Sequence, residues 1–143
     1  MLCYHSSIVT FIACNQGNKT AVTEADMAMA NTGLVEDVLT KEQQDALTAD
    51  EVIKVLKEGN ARFVNNDLTA RDHSEQVRKS TFAQYPKVIV LSCVDSGVPV
   101  EDVFDRGIGD LFVARVAGNF DNEDILGSME FACKVSGSKL ISL

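Results

Sequence analysis

The run KVIVLSCV, residues 87–94, decides the fold. It is continuous, β-branched and short, which is the texture of a strand covered on both faces. DLFVARVA, residues 110–117, repeats that texture, and KLISL, residues 139–143, begins a third such run. Between the first two, Pro99 to Arg106 fits a short helix with proline near its first turn. Between the second and third, EDILGSMEFACKV, residues 123–135, fits a longer helix. Strand, helix, strand, helix, strand is the pattern of an α/β fold, a parallel sheet wound by right-handed crossovers. The Lys87 run is then the central strand.

Upstream, Thr48-Ala49-Asp50-Glu51 offers a capping threonine with an acid three residues later. Val52, Val55, Leu56 and Phe63 follow at helical spacing, which predicts a helix over Ala49 to Val64. A shorter helix is expected over Lys41 to Leu47, and a weaker helical stretch around Ser74 to Phe82. Asn15 to about Thr40 is small, polar and acidic without periodicity, and reads as a linker or loosely held arm. The expected division is therefore a leading segment over 1–40 and an α/β domain over 41–143.

Composition narrows the functional classes. Over 143 residues, 45% are apolar and 24% charged, the balance of a soluble globular domain. The formal charge of -8, from 13 basic and 21 acidic residues, leaves no electrostatic footprint for a phosphate backbone, which excludes nucleic acid as a partner. No apolar run approaches the roughly 20 residues of a membrane-spanning helix. The four cysteines, Cys3, Cys14, Cys93 and Cys133, show no C-x-x-C pairing. Ile8 to Ala13 is apolar and closes on Cys14, which resembles a lipoprotein signal box with Cys14 as the lipidated residue. That reading expects a lipid anchor in a bacterial cell envelope or periplasm. No Lys or Arg precedes the apolar stretch, as a secretory signal requires, so a cytoplasmic N-terminus is the alternative.

In open parallel sheets, ligands bind beyond the carboxyl ends of the strands, where this chain places Cys93 and Asp95. A thiolate and a carboxylate two residues apart can turn toward one cation, and zinc accepts that mixture. This spacing alone favours the plainer reading, with Cys93 a small buried hydrophobe and Asp95, before Ser96 and Gly97, a turn or cap. Gly107-Ile108-Gly109-Asp110 precedes a strand and not a helix, which argues against a phosphate loop.

The wider string adds a resemblance. Gln84-Tyr85-Pro86-Lys87, LSCVDSGVPVEDVFDRGIGDLFVARVAGN from Leu91, ILGSMEFA from Ile125 and the upstream LKEGNARF from Leu56 are together similar to the β-class carbonic anhydrases. The resemblance implies reversible hydration of carbon dioxide to bicarbonate at a zinc held by two cysteines and one histidine. It further implies dimers or higher homo-oligomers. Carried over, it makes Cys93 the first zinc ligand and Asp95 the acid beside the metal. Gln84 would reach the partner subunit's site, and Phe112 and Ala117 would line a carbon dioxide pocket. Ordinary core packing is the competing reading of Phe112.

Two departures shape the expectation. The family motif C-x-D-x-R has Gly97 here in place of its arginine, so Asp95 loses a cationic partner and is freer to close on the metal. The family's H-x-x-C segment, which follows the third strand, does not occur in these 143 residues. His5, His73 and Cys133 do not match the missing ligands. The expectation is a truncated family member with its sheet incomplete and no activity. The alternative is a non-catalytic binding or assembly module on the same fold.

Overall fold

The computed structural model describes residues 34–143, so the reading of Cys14 as a lipidation site lies outside the described residues, as do Cys3 and His5. Three strands form a parallel sheet: β1, Val88–Ser92; β2, Leu111–Arg115; and β3, Leu140–Ser142. Their order is β2-β1-β3, with Val88 opposite Leu111 on one side and Leu140 on the other. The central position of the Lys87 run is as expected. Its reason is burial, since Val88, Ile89, Val90 and Leu91 are all buried, whereas β2 is buried only at Leu111.

Alternate residues of β1 feed two separate cores. Val88 and Val90 pack with Leu111, Val52, Leu56 and Val100 on one face. Ile89 and Leu91 pack with Met129 and Ala132 on the other. The period of two along the strand produces this division, and each fully covered aliphatic side chain contributes about 1.5–3 kcal/mol. The helices are α1, Lys41–Ala46; α2, Ala49–Val64; α3, His73–Ser80; α4, Val100–Val103; and α5, Glu123–Glu130, which runs on through a π turn over Phe131–Val135; the helical core partners come from α2, α4, α5 and the π turn. Among the described residues no helix is long and apolar enough to cross a membrane.

Local chemistry explains the helix ends. Thr48 accepts from the Glu51 amide while the Glu51 carboxylate takes the Thr48 amide, and Thr40 with Gln43 repeats the arrangement at α1. The folded unit also reaches further back than the sequence suggests. Val35 donates to the Ala70 carbonyl at 3.0 Å and accepts from Asp72 at 3.1 Å, so residues 34–40 are held against the segment around Arg71. That pairing is between main chains, which side-chain composition does not report.

Candidate functional site

β1 stops at Ser92, and Cys93 to Pro99 carry no regular structure before α4. Cys93 and Asp95 are therefore set on an exposed loop at the carboxyl end of the central strand. Asp95 turns back on its own loop, its Oδ1 accepting from the Gly97 amide at 2.7 Å. A side chain at position 97 would have room, since a Cβ there meets only Asp95 Oδ1 at 3.5 Å. The Cys93 sulfur accepts from the Gly118 amide at 3.3 Å. Gly118 has φ +87, a left-handed conformation natural to glycine, and this turn carries the chain from β2 back toward Cys93. Ala117 adjoins that contact.

Arg115 is a component that motif reasoning did not single out. It ends β2, opposite Ser92, and its guanidinium crosses to the loop. One terminal nitrogen donates to the Cys93 carbonyl at 3.3 Å and the Asp95 carbonyl at 2.7 Å, and the other donates to Val98 at 2.6 Å. The available signal was a lone arginine inside the otherwise apolar run at 110–117.

Gln84 and Phe112 lie elsewhere. Both line one cleft of about 210 Å³ beside Gly107 and Leu111. Phe112 is paired with Ile89, four residues before Cys93, which at about 3.3 Å per residue is roughly 13 Å along the sheet. Its ring packs at 6.4 Å from that of Phe131 and lines a second, open cleft of about 640 Å³. Neither cleft is lined by Cys93 or Asp95. Within one chain the sequence-derived residues thus form two groups, Cys93 with Asp95 and Ala117, and Gln84 with Phe112.

The carbonic anhydrase family model matches residues 88–143, which includes Cys93, Asp95 and all three strands. A carbonic anhydrase of Mycolicibacterium smegmatis is 44% identical over 89 residues, 62% of this chain and 43% of that protein. Carbonic anhydrase 2 of Mycobacterium tuberculosis is 42% identical with the same coverage. Over this part the chain is similar to carbonic anhydrases. It spans less than half the length of these relatives. A solved β-carbonic anhydrase, CcaA, aligns with TM-score 0.44 and 23% identity over 64% of this chain and 45% of its own.

The zinc of β-carbonic anhydrases can be weighed against the donors present. Cys93 and Asp95 are donors of a kind zinc accepts, but structural and catalytic sites take three or four protein ligands. Among the described residues no group of three or more His, Cys, Asp or Glu is placed to hold a metal ion. His73 heads α3 and Cys133 sits in the π turn beside buried Ala132, so neither joins Cys93. By themselves the described residues do not fit a zinc ion.

Proposed function

We propose that this chain carries part of a carbon dioxide hydration site of the β-carbonic anhydrase type, interconverting carbon dioxide and bicarbonate. One observation carries the reading: Cys93 and Asp95 share an exposed loop at the carboxyl end of the central parallel strand, within the residues that match the family. Zinc dependence belongs to the same proposal and rests on the family. The chain's own contributions are a sulfur donor at Cys93, a carboxylate at Asp95, and the β2 exit that braces both. Asp95 is held by the Gly97 backbone amide where the family's arginine would draw it aside, so no cationic side chain at position 97 restrains its carboxylate.

Gly97 also favours a second reading, a non-catalytic module that retains the fold, because the position is sterically open and yet lacks the motif's cation. Four polypeptides separate the two: residues 1–143, the same with Gly97→Arg, the same extended by an H-x-x-C segment, and the extended chain with Gly97→Arg. Carbon dioxide hydration and zinc content are measured on each. Residues 1–143 alone are expected to show no turnover and only weak zinc binding. The extension should restore zinc binding, and adding Gly97→Arg to it should restore turnover. An inactive, zinc-loaded final member would support the module. Zinc-dependent turnover by the unextended chain, surviving Cys93→Ser, would show that the metal sits elsewhere.

A further inference from the structure

We propose that Arg115 is the positioning residue of the Cys93–Val98 loop. The proposal deepens the hydration reading, on which the significance of Cys93 as a ligand rests. Once β1 ends at Ser92, the loop's carbonyls have no ladder partners, and main-chain oxygens need donors. Arg115 meets three of them, those of Cys93, Asp95 and Val98, from the adjacent strand end. A guanidinium suits this task because its donors diverge from one rigid plane, whereas an ammonium is a single point. The three bonds go to backbone and not to the Asp95 carboxylate, whose Oδ1 takes the Gly97 amide instead.

The same exit from β2 holds the side chain. Three residues after Arg115, the Gly118 amide reaches the Cys93 sulfur. Cys93 is therefore fixed at two atoms, its carbonyl oxygen by Arg115 and its sulfur by Gly118. The loop is consequently braced from β2 without any side chain at position 97 taking part. Such bracing sets the direction of the sulfur in advance.

Amide hydrogen exchange, resolved by residue on the 143-residue chain, tests this for Arg115→Ala and Arg115→Lys. The reporters are the Gly97 and Gly118 amides, and the reference is the β1 amides of Ile89 to Leu91. Both substitutions are expected to speed exchange at the two glycines about fivefold or more, the equivalent of one net hydrogen bond, while β1 is unchanged. Failure of lysine to rescue identifies the forked geometry as the operative feature. Unchanged glycine exchange with β1 intact would overturn the proposal. If Arg115→Ala also exposes β1, Arg115→Lys decides: loss confined to the loop supports positioning, and either full protection or loss through β1 overturns it. The experiment uses neither metal nor substrate, so its failure leaves the hydration reading standing, and failure of hydration leaves the loop result standing.

Discussion

Asp105 is the most heavily engaged side chain in the domain and has no part in the candidate chemistry. Its carboxylate is buried, bonded by Arg62 Nε at 2.5 Å, by an Arg71 terminal nitrogen at 2.6 Å and by the Thr69 hydroxyl at 2.7 Å. Burial alone would raise its pKa, but the hydrogen bonds from Arg71, Arg62 and Thr69 outweigh that and hold it far below the usual carboxylate range. A depressed folded value stabilises the fold above the unfolded value of about 3.9, and that contribution fades as pH falls below it. Asp105→Asn keeps the shape and tolerates the residue's positive φ of 47, so it isolates the charge. We expect it to cost about 3–5 kcal/mol at neutral pH, by leaving two arginines without their buried partner. Urea unfolding between about pH 2 and 5 should show wild type losing stability toward acid more steeply than the variant. Equal slopes would mean that Asp105 is not the linked group. Nothing near Asp105 in sequence announces this network, since Arg62, Thr69 and Arg71 lie 34 to 43 residues away. Arg115 was hidden for the same reason, its acceptors being 17 to 22 residues upstream.

At the scale of elements, α2 meets α4 through a position where only hydrogen fits. Gly59 is buried on α2, and a Cβ there would come within 1.8 Å of the Phe104 carbonyl oxygen. Asn60 donates to the Val103 carbonyl at 3.1 Å beside it, which fixes the approach. Gly59→Ala would gain up to about 1 kcal/mol of helix propensity, yet overpacking against backbone costs about 1–3 kcal/mol or more. A net loss of stability is expected, with a lower urea midpoint. A midpoint at or above wild type would show that the two helices can part without penalty. The elements themselves were legible because their signals are local. The Thr48 cap marks the start of α2 as observed, and the apolar run at 87–94 marks a strand buried on both faces. What α2 packs against was not legible, because LKEGNARF contains no record of how close α4 comes. The same limit applies to the site: Cys93 and Asp95 could be placed at a strand end from sequence, whereas the brace from β2 required the register of Ser92 with Arg115.

The whole molecule raises a question of reach. Gln84 precedes β1 and Cys93 follows it, nine residues apart, or up to about 30 Å of extended chain. Gln84 shares its cleft with Phe112, so two of the residues that the family resemblance assigns to substrate lie together at the end of the sheet away from Cys93. For one site to use both groups, the second must come from another copy, and a two-fold pair would exchange them reciprocally. This predicts a specific complementation. On the extended chain carrying Gly97→Arg, Gln84→Ala and Cys93→Ser are each expected to abolish most hydration when prepared alone. Co-folded in equal amounts, half the dimers should be mixed. In each mixed dimer, the intact Cys93 of the Gln84→Ala chain meets the intact Gln84 of the Cys93→Ser chain, so one site in two is whole. Activity should then return to about a quarter of the unmutated value, the product of those two halves. Sedimentation in parallel establishes that the species measured is a dimer. Recovery no greater than the mean of the two separate preparations would place Gln84 and Cys93 in unrelated sites, and the cleft shared by Gln84 and Phe112 would then serve packing alone.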